Sequence, residues 1–222
     1  MCGRFNLTKP KDIQARFGFV DWHERRIEPR FNIAPAQDIL TLVREPGARA
    51  HALMARWGLE PFWLSRSGRR HPPPINARVE SILGSRMFRD CQRCLIPATG
   101  FYEWQSGAPM HICLRNNGLF AFAGLWLPGV HGGPPTATIL TTGPNALVLP
   151  IHDRMPAIMR PDDEQTWLDP SVSLETALPL LAPYPAEDMQ AYEVGPLVNA
   201  WVNEGPEVLQ PATPRATTLP LF

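Results

Sequence analysis

Cysteine at position 2 carries the most distinctive chemistry in the chain. Removal of Met1, which is favoured when the second residue is this small, would leave an α-amine and a β-thiol on adjacent carbons. Such an amine has an ordinary pKa of about 7.7–8.0, so a usable fraction is neutral near pH 7 and can attack an aldehyde to give a Schiff base. The thiol can then add to the imine carbon and close a five-membered thiazolidine, which an internal cysteine cannot do. A retained Met1 would block the amine, and a Cys2 that merely opens an edge strand would be inert. Three further clusters set ionisable groups among residues that look packed: Pro74-Ile-Asn76-Ala-Arg78-Val-Glu80, Gly100-Phe-Tyr-Glu103-Trp104 and Ile151-His152-Asp-Arg154-Met-Pro156. That pattern suits a pre-organised site. Strand alternation by itself would nevertheless turn a lone Glu103 outward.

The elements that must position these groups are short. Thr8 is expected to cap a helix over Lys11 to Phe17 that stops at Gly18, and Asn76 to cap one running through Val79, Ile82 and Leu83. Asp38 to Val43 and Ala52 to Gly58 read as strands. So do Cys94 to Pro97, Phe101 to Gln105, His111 to Leu114, Leu119 to Leu127 and Thr136 to Thr142, separated by Gly, Pro and Asn turns. Helices are expected after Asp162 and over Ser173 to Leu181, while Ser65 to Pro74 reads as an exposed basic loop. Mixed short strands with peripheral short helices predict an α+β fold, with a strongly curved or barrel-like mixed or antiparallel sheet. One domain over residues 1–209 is expected, followed by a Pro- and Thr-rich tail over 210–222.

Composition excludes several classes. With 222 residues, 44% hydrophobic and 19% charged, the chain is neither disordered nor membrane-spanning in character. The longest apolar stretch, Leu119 to Val130, is broken by Gly124, Pro128 and Gly129 and falls short of the roughly 18–20 residues a membrane helix needs. No apolar signal segment follows Met1, so a cytoplasmic protein without membrane partners is expected, its four cysteines reduced. Residues 1–100 hold 17 Lys or Arg against 9 Asp or Glu, and residues 101–222 hold 4 against 12. Nineteen of the 21 basic residues are Arg, the side chain suited to bidentate phosphate contacts and to stacking on bases. A GC-rich genome would produce the same excess of Arg, and a folded chain that interleaves its halves would cancel the asymmetry.

Taken together, the motifs resemble the SRAP family, the SOS-response-associated proteins that shield abasic sites. The resemblance runs through Met1-Cys-Gly-Arg-Phe5, Arg30-Phe-Asn-Ile-Ala-Pro-Ala-Gln37, Trp57-Gly-Leu-Glu-Pro-Phe-Trp63, Asn76-Ala-Arg-Val-Glu-Ser81 and Arg93-Cys-Leu-Ile-Pro-Ala-Thr-Gly-Phe-Tyr-Glu-Trp104. It continues through Phe122-Ala-Gly-Leu-Trp126, Thr141-Thr-Gly-Pro-Asn145 and Ile151-His-Asp-Arg-Met-Pro156, in the family's order. Glu60 and Pro144 depart from the family pattern between the reactive positions. The resemblance implies a monomer that crosslinks covalently to abasic sites in single-stranded DNA through Cys2, with AP-lyase and autopeptidase-type chemistry at the same end and association with the nucleoid when bound. It implies that Glu103 shuttles protons, that His152 sits at the sugar oxygen and that Asn76 orients the Cys2 end. It further implies phosphate contacts from Arg78, Arg154 and Arg4, and stacking on bases by Trp57, Phe62 and Trp63. No cofactor or metal is expected.

Two rival readings use the same residues differently. An amino-terminal-cysteine hydrolase, or a peptidase acting on its own leader methionine, would use Cys2 to turn over an amide or ester. A small zinc module would draw on Cys91, Cys94, His111 and Cys113, whose spacing is only loosely ligand-like. A DNA-binding domain without covalent chemistry is a third.

Overall fold

A computed structural model of the chain describes residues 2–22, 26–61, 72–129 and 132–213. Five strands close into a barrel: β3 (Asp38–Val43), β4 (His51–Trp57), β10 (Thr136–Thr142), β9 (Phe120–Leu127) and β6 (Gln92–Ala98). The neighbours are antiparallel except for β4 and β10, which run parallel with Thr136 beside Arg56 and Ala137 beside Trp57. Every residue of β10 is buried, because its neighbours and the surrounding chain cover both faces. Uninterrupted apolar strands such as Ala121 to Trp126 suit that position better than strict alternation.

A second, antiparallel sheet orders β12 (Met189–Glu193), β8 (Ala108–Leu114), β7 (Gly100–Gln105), β1 (Phe5–Leu7) and β2 (Arg30–Ile33). Its inner face packs on the barrel through edge-on aromatic contacts, Phe5 to Trp57 at 5.2 Å, Phe5 to Phe122 at 5.7 Å and Phe101 to Phe122 at 6.1 Å. Its outer face is covered by the chain after β12, where Tyr102, Val194, Val198 and Val208 form a small core of their own. The amide of Ala212 still donates to the carbonyl of Glu193, so this cover runs past residue 209. Two short strands, β5 (Asn76–Arg78) and β11 (Met155–Pro156), pair with β10, which therefore gathers two distant segments at its C-terminal end. Basic and acidic halves of the sequence interleave in both sheets, since β1 pairs β7 and β4 pairs β10.

Among the described residues the helices are short turns on the periphery. Arg16 of α1 (Ile13–Arg16) grips buried Glu164 of α2 (Glu164–Leu168) by two bonds of 2.9 and 2.6 Å, and the Trp167 indole donates to the Cys94 carbonyl at 2.9 Å. The third helix, α3 (Leu174–Ala177), is capped by Ser173 and passes into a 3-10 turn at Leu178. Among the described residues no helix is long and apolar enough to cross a membrane.

Two expected caps go elsewhere. The Thr8 hydroxyl pairs with Thr99 Oγ1 at 3.0 Å, and the helix after it starts as a 3-10 turn with Pro10 in the first position. Asn76 lies in β5, followed only by a 3-10 turn over Val79–Ser81. Short polar side chains compete for whatever backbone group is in reach, and here tertiary partners win. The basic loop expected over Ser65 to Pro74 falls largely outside the described residues.

Between β7 and β8 the backbone of Gly100 lies under the His111 ring. A Cβ at Gly100 would stand 2.2 Å from His111 Nε2 and 3.1 Å from the Ile112 carbonyl. The ring cannot retreat easily, because it sits between Tyr102 and Tyr192, each 5.1 Å away, and meets Asn6 Nδ2 at 2.9 Å. Gly100→Ala is therefore expected to cost about 1–3 kcal/mol in denaturant unfolding, and a variant of unchanged stability would show that the ring yields. Burial also lowers the His111 pKa to about 4. The unfolded chain then binds more protons than the native one between pH 6.5 and 4, so stability is complete above that window and is lost as pH falls through it. The full loss is about 3 kcal/mol. Unfolding of His111→Gln across that window should show the acid slope largely removed.

Candidate active site

The ladder between β1 and β7 carries the amino-terminal segment to the site. Phe5 stands opposite Phe101, the Tyr102 amide donates to the Arg4 carbonyl at 2.9 Å, and the same register sets Gly3 across from Glu103. Cys2 is buried, and its thiol donates weakly to the Arg4 carbonyl at 3.6 Å. Burial, reinforced by the nearby Glu103 charge, pushes this thiol far above its ordinary pKa. At neutral pH the sulfur carries its proton.

Asn76 meets this segment from β5, donating from Nδ2 to the Cys2 carbonyl at 2.8 Å. Its Oδ1 is buried without a hydrogen-bond partner. Glu103 lies on the same face of β7 as Phe101, turned toward the barrel, while Tyr102 and Trp104 take the outer face. Simple alternation fails to place it because both faces of β7 are covered. Burial raises the Glu103 carboxyl above the usual range, and the charge of nearby His152 opposes that rise.

A turn built by Asn145 delivers His152. Asn145 Oδ1 accepts the amides of Leu147 and Val148 at 3.1 and 2.9 Å, its Nδ2 donates to the Tyr184 carbonyl at 2.7 Å, and the His152 amide closes on the Val148 carbonyl at 2.9 Å. His152 Nδ1 accepts the Arg154 amide at 3.0 Å and lies 2.9 Å from Asp153 Oδ1. Nδ1 is thus shared between a backbone donor and a carboxylate acceptor, two contacts that call for different protonation of the ring. Arg154 then reaches back to β10, donating to the Thr141 carbonyl at 2.5 Å and forming a two-bond pair with Glu80 at 2.7 and 2.9 Å.

Cys2, Asn76, Glu103, His152 and Arg154 thus converge, with exposed Arg78 beside Thr141 on the β5–β10 ladder. Two expected residues do not join them. Arg4 points to the outer face of the second sheet, where Nη1 donates to Asn32 Oδ1 at 2.8 Å and to the Val198 carbonyl at 2.6 Å and so clamps that segment. Trp57 is buried, edge-on to Phe5, and its indole N–H donates to the Ile75 carbonyl at 2.8 Å, so it packs the core and offers no face to a base. Phe62 and Trp63 lie outside the described residues.

Sequence reasoning missed the residues that steady this arrangement. Asn32 is buried and donates to the carbonyls of Val198, Ala200 and Asn203 at 3.3, 3.0 and 2.9 Å, strapping the 196–203 segment to the strand beside β1. Glu204 accepts the amides of Phe31 and Asn32 and the Arg30 guanidinium. The available signal was an asparagine inside the strand-like Arg30-Phe-Asn-Ile33, where so polar a residue needs buried partners. The donors of the rival zinc module are divided, with Cys94 in the barrel and His111 and Cys113 in the second sheet, where His111 is engaged by Asn6. Among the described residues no group of three or more His, Cys, Asp or Glu could hold a metal ion.

Comparison with known proteins gives one consistent result. The SOS response associated peptidase (SRAP) family model matches residues 1–201. The abasic site processing protein YoqW of Bacillus subtilis (strain 168) is 40% identical over 224 residues, covering 95% of this chain and 99% of its own. The abasic site processing protein YedK of Escherichia coli (strain K12) is 28% identical, with 95% and 100% covered. A crystal structure of a Bacteroides thetaiotaomicron protein superposes with a TM-score of 0.79 at 24% identity, covering 96% of this chain and all of that one, and so shares the fold. With a model that takes in almost the whole length and a relative aligned end to end, the chain belongs to the SRAP family.

Proposed function

We propose that this protein processes abasic sites in single-stranded DNA by covalent capture at Cys2 once Met1 has been removed. The observation that carries this reading is the Asn76 bond to the Cys2 carbonyl, which holds a 1,2-aminothiol end beside a buried carboxyl of raised pKa. The names of the relatives, abasic site processing proteins, supply the substrate.

An abasic deoxyribose equilibrates with a ring-opened aldehyde. The neutral α-amine of Cys2 adds to that carbonyl carbon, the carbinolamine loses one water to give the imine, and Sγ then adds to the imine carbon as the thiol proton moves to nitrogen. The balance is aldehyde plus aminothiol giving thiazolidine plus water, with no redox partner. Glu103, whose raised pKa lets it hold a proton closer to neutrality, takes the amine proton and returns it to the leaving oxygen. His152 is the ring donor to the sugar oxygen as it opens, and the unsatisfied Asn76 Oδ1 is the acceptor that orients the amine. Arg78 and Arg154 take backbone phosphates. A buried, protonated thiol suits the late step, because it leaves the amine to attack first.

Intact mass after mixing with a single-stranded oligonucleotide carrying one abasic site tests the reading. A 1:1 adduct lacking Met1 that survives denaturation, and is absent with undamaged DNA, is expected; no adduct from protein whose Met1 is confirmed removed would sink it in favour of a hydrolase. Cys2→Ser should keep an imine that needs borohydride to persist, so an unreduced, heat-stable adduct from that variant contradicts the thiazolidine step. Glu103→Gln should slow adduct formation by about 10²–10⁴-fold. The same variant should be more stable. A carboxyl raised in the native state binds more protons there than in the unfolded chain, so the wild type loses stability as pH rises from the ordinary carboxylate value through the raised one. Thermal unfolding at pH 7 should show Glu103→Gln above the wild type, and a lower midpoint would remove that account of Glu103.

A further inference from the structure

Arg154 is the arginine most deeply set at the site, and its hydrogen-bonding capacity is nearly used up. A guanidinium offers five N–H groups. Glu80 Oε1 and Oε2 take one each from Nη1 and Nη2 at 2.7 and 2.9 Å, and the Thr141 carbonyl takes the second from Nη2. The Nε–H is buried without a partner, which leaves a single Nη1 N–H. No phosphate can be gripped by two parallel bonds while the carboxylate stays in place.

The two partners are unequally exposed. The Arg154 side chain is 13% exposed and that of Glu80 57%, so the carboxylate lies on the solvent side and covers the arginine. Nor is it needed as a strut, since the Thr141 carbonyl and the Arg154 amide bond to His152 Nδ1 already fix that side chain and its backbone. Glu80 projects from the 3-10 turn Val79–Ser81, where rotation about its own side-chain bonds would release it.

Resting on the abasic-site reading, we infer that Glu80 is a resident phosphate surrogate and a gate. Its carboxylate presents to Arg154 the same two-oxygen face that a DNA phosphate does, and a strand seats only by exchanging one anion for the other. Undamaged strands are thereby held weakly and leave, whereas a strand caught at Cys2 is retained by its covalent bond. The gate selects against occupancy of intact single strands, a specificity separate from the chemistry at the aldehyde.

Anisotropy titrations of Met1-free protein with a labelled, undamaged single-stranded oligonucleotide, repeated across a salt series, test this. Glu80→Gln, which keeps an amide at an exposed position, should bind about five- to tenfold more tightly than the wild type, and its log K against log salt should steepen by about 0.7. The gain should vanish on an Arg154→Ala background. Unchanged or weaker binding by Glu80→Gln, or a gain that persists without Arg154, overturns the gate. Crosslinking to the abasic oligonucleotide is measured in parallel: a wild type that forms no adduct defeats the abasic-site reading, while normal adduct with no affinity change defeats the gate alone.

Discussion

Everything at this site depends on burying an end of the chain. Residues near a terminus are ordinarily the least ordered part of a domain, yet Cys2 is fully enclosed and its carbonyl is held by the amide of a residue 74 positions away. Docking so mobile a segment costs conformational entropy of about 1–2 kcal/mol per residue, which no single hydrogen bond offsets. The offset comes from Phe5, whose ring packs edge-on against Trp57 and Phe122, and from the ladder to β7. The core burial of Trp57 therefore serves the site at one remove: it is the floor on which the strand carrying Cys2 rests.

The opposite face of that strand is secured by polar means. Arg4, Asn32 and Glu204 tie β1 and β2 to the segment after residue 196, using bonds that would be expensive to leave half made. Hydrophobic packing on one side sets the depth of the strand, and directional bonds on the other set its register. Between them the segment has little freedom, and the positions of Cys2 and Glu103 follow.

Much of the scaffold is legible in the sequence. Asp38–Val43 and Thr136–Thr142 are bounded by turn residues and emerge as the expected strands. The barrel-like sheet is expected and found, but which strands close it is not legible, because its parallel pair joins segments some 80 residues apart with no local mark at either. The clustering of Asn76, Glu103 and His152 came from resemblance to a family, not from spacing. The resemblance implies base stacking for Trp57, and an indole looks the same in sequence whether it stacks on a base or fills a core; only in three dimensions does the Ile75 carbonyl on its N–H set it in the core. Arg4 is ambiguous in sequence for a related reason, since a guanidinium serves a carbonyl as readily as a phosphate.

The distances along the chain that separate Cys2 from its partners also order events in time. Asn76, Glu103 and His152 leave the ribosome long after Cys2 does, and Val198, which anchors Arg4, later still. At about 5–20 residues per second, on the order of ten seconds or more pass before the strap over residues 196–203 can close. Until Asn76 and β7 have emerged, the segment preceding Phe5 lacks the partners that bury it and is open to processing enzymes. Under the proposed chemistry, late burial would leave Met1 open to trimming during synthesis, and folding would then enclose the aminothiol end that trimming creates.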